Sequence, residues 1–246
     1  MSVYSMILEK VRREKVHMTL IDPASQDPVA SGGIAREAES AGSDFVMVGG
    51  STDVSGELMQ QTIDEIKARC SLKTIIFPGS PNMLSANADA LYFMSLLNSK
   101  DLDFVIGHQV RSSRLIHELG IESISMGYVV FSPGMRVGRV GNADLVERDD
   151  RDTALSYALT AEMLGFKLVY FESGSGSNTY VSPDVIAHTK RYITVPLIVG
   201  GGIRTPESSR EIARAGADII VTGTVAERSS DVFGTLRPII KAIKSI

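Results

Sequence analysis

Short apolar runs rich in β-branched residues alternate along this chain with longer stretches in which apolar positions recur every third or fourth residue. The short runs have the length of strands, and the longer stretches the period of helices packed on one face. Strands are predicted at 16–21, 44–48, 73–77, 90–94, 122–131, 167–172, 195–199 and 218–222, and helices at 33–41, 57–69, 101–119, 152–164, 183–192, 206–215 and 232–246. A further helix-like segment precedes the first strand. Ser182 before Pro183 and Thr205 before Pro206 place a capping residue and a first-turn proline at two helix starts. This alternation predicts βαβ units, and eight parallel strands close a barrel. The expected fold is therefore α/β, a single (β/α)8 barrel of the TIM type with residues 1–246 as one domain. Two segments break the repeat. Pro78-Gly79-Ser80-Pro81-Asn82 leads toward the fourth strand without a full helix, so a helix is expected to be irregular or missing around residues 78–90. The segment 132–149, with Pro133, Gly134, Gly138 and Gly141, is too long for a simple turn and is expected to lie over the active face.

Length fits this picture, since 246 residues match one eight-fold barrel. A formal net charge of −4 leaves no broad basic field to hold nucleic acid. The single cysteine, Cys70, has no partner for an internal disulfide and reads as a packing residue in a reducing compartment. No apolar run approaches the roughly 20 residues needed to span a bilayer. Glu9, Lys10, Arg12, Arg13 and Glu14 also leave the N-terminus without a signal-peptide core, so a cytoplasmic protein is expected.

In such barrels the chemistry gathers at the C-terminal ends of the strands. Asp22 follows the first strand there, Gly49-Gly50-Ser51-Thr52 the second, and Glu172 closes the sixth within Tyr170-Phe171-Glu172-Ser173-Gly174-Ser175-Gly176. Val199-Gly200-Gly201-Gly202-Ile203-Arg204 and Thr222-Gly223-Thr224 follow the seventh and eighth, where glycine backbone lets N–H groups approach a phosphate closely. Glu172 is the candidate general base, because a carboxylate near apolar walls has its proton affinity raised toward the working range. Tyr170 either hydrogen-bonds substrate or fills the barrel rim. Asp22 and Ser51 offer hard oxygens of the kind Mg²⁺ accepts, although Asp22-Pro23 equally suits a turn and helix cap. The four histidines, His17, His108, His117 and His188, lack metal-ligand spacing. Tyr92, Phe93, Met94, Leu96, Leu97, Met126, Tyr128, Val130 and Phe131 gather around the fourth and fifth strands. Most of these are core, and an apolar wall opposite a phosphate site suits a hydrocarbon tail, each buried methylene contributing about 0.8 kcal/mol.

These motifs resemble the geranylgeranylglyceryl phosphate synthase family, prenyltransferases that join an isoprenoid diphosphate to sn-glycerol 1-phosphate in archaeal-type ether-lipid synthesis. The resemblance runs over nearly the whole chain, through Thr19-Leu20-Ile21-Asp22-Pro23, Val48-Gly49-Gly50-Ser51, Phe77-Pro78-Gly79-Ser80, Tyr128-Val129-Val130 and, most specifically, the run from Tyr170 to Gly176. It implies that Asp22 and Ser51 hold Mg²⁺. It implies too that Tyr170, Phe171, Glu172, Ser173, Gly174, Ser175 and Gly176 embrace glycerol phosphate, and that Gly201, Gly202, Gly223 and Thr224 clasp its phosphate. Glu172 would then take the proton of the 3-hydroxyl as it attacks C1 of geranylgeranyl diphosphate, releasing diphosphate. Many members with twenty-carbon specificity limit the tail pocket with a large aromatic residue, whereas this chain has no tryptophan; Tyr92 and Phe93 are the expected stops, and a longer heptaprenyl donor is the alternative. A homo-oligomer, dimer or larger, is also implied, with 101–119 as its expected contact. Transient membrane contact is an expectation to which a mildly basic N-terminal segment adds little. A phosphosugar isomerase, with Asp22 as acid and base, and a non-catalytic phosphate-binding barrel are the rival readings.

Overall fold

Parity along each strand decides which side chains reach the active face. In the computed structural model, which describes residues 1–246, eight parallel strands close a barrel in sequence order, the last pairing with the first. They are β1 (Val16–Ile21), β2 (Phe45–Gly49), β3 (Thr74–Phe77), β4 (Ala90–Leu96), β5 (Glu122–Val130), β6 (Leu168–Glu172), β7 (Leu197–Gly200) and β8 (Ile219–Thr222). Alternate residues of a strand point to opposite faces. On β6 Leu168 and Tyr170 enter the barrel interior while Val169 and Phe171 pack outward under the helices. Glu172 is the next inward position, and the same count along β1 from Val16 and Met18 leads to Asp22.

The helices are α1 (Val3–Val11), α2 (Pro28–Ala41), α3 (Gly56–Arg69), α4 (His108–Leu119), α5 (Met135–Val140), α6 (Arg151–Met163), α7 (Pro183–Lys190), α8 (Pro206–Ala215), α9 (Thr224–Glu227) and α10 (Val232–Lys244). No helix joins β3 to β4, where Pro78, Gly79 and Pro81 interrupt the backbone pattern. The segment 132–149 is not bare loop but carries the short α5. A π-helical turn, Asp103–Gly107, leads into α4. Thr205 caps α8 with a reciprocal box to Ser208, whereas Ser182 stands at the start of α7 without a side-chain cap bond. Cys70 ends α3, and burial pushes its thiol up to about 11, as suits a packing residue. No helix is long and apolar enough to cross a membrane.

The far end of the barrel is closed by α1. Val3 and Ile7 join the interior core, and Glu122 accepts hydrogen bonds from the Val3 and Tyr4 amides at 2.6 and 3.0 Å. Nearby, buried Asp44 accepts from Lys10 and Lys244, both at 2.8 Å, and from the His17 amide at 3.0 Å. Burial raises the Asp44 carboxyl, but the two ammonium groups and the amide outweigh it and hold the group below its ordinary 3.8. A depressed carboxyl contributes stability above its unfolded value and loses it as pH falls through the folded one. Asp44→Asn is therefore expected to cost about 3 kcal/mol at pH 7 by urea denaturation, with the deficit shrinking once acid protonates Asp44 in the parent.

Candidate active site

Four aromatic rings floor the mouth of the barrel. Phe77 lies 6.3, 5.5 and 5.7 Å from the ring centres of Tyr92, Tyr128 and Tyr170, and Tyr128 and Tyr170 meet edge to face at 5.1 Å. Glu172 stands above them, 7% exposed. Taking an ion out of water disfavours its charged form. Burial accordingly raises the Glu172 carboxyl to about 7, against the partial offset of the Tyr170 hydroxyl and the Gly174 N–H, which donates to Oε1 at 2.6 Å. A carboxylate poised there exchanges protons near neutrality, as a general base requires.

Beside Glu172 lies a cavity, about 400 Å³ counting the solvent at its open mouth, whose wall includes Gly201, Gly202, Arg204, Gly223 and Thr224. The N–H groups of Gly201, Gly202 and Gly223 donate to no other protein group. Gly201 and Gly202 have φ of +82° and +75°, open to glycine and strained for other residues. A side chain on Gly201 would also strike Glu172 Oε1 and the Gly174 and Ser173 amides. Across this cradle the hydroxyls of Ser175 and Thr224 meet at 2.7 Å. Arg204, anchored on the Gly176 carbonyl at 2.5 Å, supplies a cation. Unpaired backbone donors with a guanidinium beside them can receive an anion such as a phosphate.

A second, larger cavity, about 940 Å³ counting the solvent at its open mouth, lies on the other side of Glu172. At its polar end stand Asp22, Gly50, Ser51, Arg136 and Glu227; at its apolar end Met94, Leu96, Phe104, Val137 and Val140. Asp22 packs so closely over Gly50 that a Cβ there would sit 2.6 Å from Oδ2. Its amide donates to Glu227 Oε1 at 2.8 Å, which brings two carboxylates together; burial raises both. No cluster of three or more His, Cys, Asp and Glu side chains suited to a metal forms in the chain. Two carboxylates and a free serine hydroxyl nevertheless fit Mg²⁺, which keeps most of its shell as water and substrate phosphate.

The residues singled out in the sequence occupy these two cavities unequally. Tyr170, Glu172, Ser175, Gly176, Gly201, Gly202, Gly223 and Thr224 line the smaller one, and Asp22 and Ser51 the larger. Phe171 points away and packs on Phe131, ring centres 4.9 Å apart. Ser173 and Gly174 lie behind the carboxylate, close to Gly201 through their backbone. Tyr92 is inside the barrel with its hydroxyl 3.2 Å from Met18 Sδ, and Phe93 faces the outer layer, so neither lines the larger cavity. Phe104, which stacks on His108 at 4.8 Å, stands in that wall instead. Arg136, Tyr128 and Glu227 are further lining residues that the motifs did not single out as site residues, and Arg204 is the polar end of a motif read mainly for its glycines.

A parallel barrel with unpaired backbone donors after β7 and β8, a buried carboxylate raised toward neutrality above them and an adjoining apolar cavity has the build of a phosphate-binding barrel enzyme with room for an apolar co-substrate. A model of the PcrB family matches residues 9–243, and the chain belongs to that family. Geranylgeranylglyceryl phosphate synthase of Picrophilus torridus is 60% identical over 243 residues, 99% of this chain and 100% of that protein. The crystal structure of (S)-3-O-geranylgeranylglyceryl phosphate synthase from Thermoplasma acidophilum, in complex with its substrate sn-glycerol-1-phosphate, has a TM-score of 0.99 at 55% identity and covers 100% of both chains. The wild-type enzyme of Thermoplasma volcanium has a TM-score of 0.97 at 57% identity, covering 100% of this chain and 99% of that one.

Proposed function

We propose that this protein is a prenyltransferase that joins geranylgeranyl diphosphate to the 3-hydroxyl of sn-glycerol 1-phosphate. The observation that carries this reading is the position of Glu172, which separates an anion cradle from an apolar cavity and lines both. In this account Gly201, Gly202, Gly223, Thr224 and Arg204 hold the acceptor phosphate. Ser175 and Glu172 face its hydroxyls. The prenyl tail runs past Met94 and Leu96, with its diphosphate at Asp22 and Ser51. Mg²⁺, held by Asp22 and Ser51, would neutralise charge on the diphosphate. As the bond from C1 to the diphosphate oxygen lengthens, its electron pair goes to the leaving group and C1 gains allylic cation character. The Tyr128 ring lines this space, and an aromatic ring so placed can stabilise that charge. The 3-hydroxyl oxygen bonds to C1, and Glu172 takes its proton. Holding both substrates at fixed distance removes much of the entropic cost of the encounter.

The test is transfer of labelled sn-glycerol 1-phosphate into an organic-extractable ether, with and without Mg²⁺. Metal-dependent transfer supports the reading; isomerisation of a phosphosugar with no transfer would overturn it. A phosphosugar isomerase has no use for the apolar half of the larger cavity, and β5 ends in Val129 and Val130 with no second acid.

Donor length is part of the proposal. Phe104 is the aromatic stop, and Phe104→Ala is expected to improve the heptaprenyl-to-geranylgeranyl ratio of kcat/KM by about tenfold or more, since relieving one aromatic clash opens a path for several methylenes. An unchanged ratio would remove Phe104 from that role. We further propose a cytoplasmic homo-oligomer whose contact uses Leu102, Ile106 and Val110, an exposed apolar row beside the tail cavity.

A further inference from the structure

Three carboxylates, Asp22, Glu172 and Glu227, line the larger cavity, and Arg136 is its only permanent cation. A diphosphate ester brings further negative charge into that space, so binding it demands positive charge from the protein as well as from any metal. Arg136 makes no ion pair and no side-chain hydrogen bond within the chain, yet its charge acts on Asp22 across the cavity. Its five N–H donors are therefore free.

The element that carries it is anchored at the reacting centre. Gly134 starts α5 with φ of +67°, and Met135 follows with φ of +48°, a left-handed conformation that is strained for a non-glycine residue. Met135 is pressed against Gly174, where a Cβ would lie 2.7 Å from its side chain, and the Gly174 amide is the one bound to Glu172. From that anchor the single turn sends Arg136, Val137 and Val140 into the same cavity wall. One short helix thus presents a guanidinium to the polar end and two valines to the apolar end.

We propose that Arg136 binds the departing diphosphate and is a further catalytic residue of this reaction. The inference rests on the prenyltransferase reading. When the bond from C1 to oxygen breaks, its electron pair adds charge to the leaving diphosphate while the acceptor proton passes to Glu172. A planar guanidinium donates two parallel hydrogen bonds to phosphate oxygens and strengthens them as that charge grows. Lysine at the same place supplies the charge without the fork.

Steady-state kinetics of Arg136→Gln, Arg136→Lys and Arg139→Gln provide the test, Arg139 being an exposed arginine of the same helix outside the cavity wall. Arg136→Gln is expected to lower kcat/KM for the donor by about 10- to 100-fold, the worth of a charged bidentate contact. The KM for sn-glycerol 1-phosphate stays unchanged, Arg136→Lys recovers part of the loss, and Arg139→Gln matches the parent. Calorimetric binding of inorganic pyrophosphate, without metal or acceptor, weakens in parallel. Equal pyrophosphate affinity in the parent and Arg136→Gln would overturn the inference, as would a loss shared equally by the acceptor KM. Should the folded parent transfer no prenyl group, the functional reading fails, and pyrophosphate calorimetry still decides whether Arg136 holds a diphosphate.

Discussion

Glu172→Gln is expected to lower kcat by about a thousandfold, within the range ascribed to a positioned general base, while both substrates still bind. Glutamine keeps the shape of the side chain and an oxygen that can accept the Gly174 N–H, but it takes no proton. Because the free carboxyl titrates at about 7, the kcat/KM of the parent should rise with pH up to that value and flatten above it. The slope should be absent in the variant. Stability is expected to move the other way. A carboxyl whose folded value is raised contributes most below its unfolded value, and that contribution is lost as pH rises through the folded one. Between the ordinary 4.5 and about 7 the parent becomes progressively burdened by a buried group that water would ionise. The neutral amide escapes this, so Glu172→Gln should be more stable than the parent at pH 8, by an amount on the order of 1–3 kcal/mol. An inactive variant that melts later cannot owe its inactivity to misfolding. Equal activity, or loss of activity with loss of the fold, would count against the role given to Glu172.

Gly201→Ala carries the second large effect. The new methyl group would strike Glu172 Oε1 and crowd the Gly174 and Ser173 amides, and the backbone would have to hold alanine at φ of +82°. Losing two charge-assisted hydrogen bonds to the acceptor phosphate should raise the KM for sn-glycerol 1-phosphate by about a hundredfold. The donor KM should change little, and kcat should fall as the carboxylate is displaced. Gly216→Ala separates strain from site occlusion, for Gly216 also has positive φ (+113°) but lies at the far end of α8. That substitution should cost about 1 kcal/mol of stability and leave both KM values alone. A Gly201→Ala enzyme with an unaltered acceptor KM would move the phosphate away from the β7 loop.

Much of this site was legible in the sequence because parallel strands transmit position by parity. Once 167–172 is read as a strand with Leu168 and Tyr170 inside, Glu172 must reach the mouth, and Gly201-Gly202 after the seventh strand and Gly223 after the eighth mark where backbone donors are exposed. The tail pocket was harder to read, and a strand boundary explains why. The apolar pattern ends β4 at Met94, whereas the strand continues to Leu96. The mouth is therefore at Met94 and Leu96, while Tyr92 is interior and Phe93 faces outward. Phe104 enters the wall through a π-helical turn, a backbone form without a periodic signature. Arg136 depends on α5, whose direction is set by Gly134, Met135 and the distant Gly174, and a contact between loops this far apart in sequence leaves no local pattern. Glu227 comes into register with Asp22 only when β8 closes on β1.

A glycerol phosphate held by the β7 and β8 loops is expected to present its 3-hydroxyl to Glu172. A crystal structure of this protein with sn-glycerol 1-phosphate tests it most directly. Phosphate oxygens are expected at hydrogen-bond distance, about 3 Å, from the Gly201, Gly202 and Gly223 amides, and the 3-hydroxyl at similar distance from Glu172. A phosphate bound at Asp22 and Ser51, or a 3-hydroxyl turned away from Glu172, would contradict it.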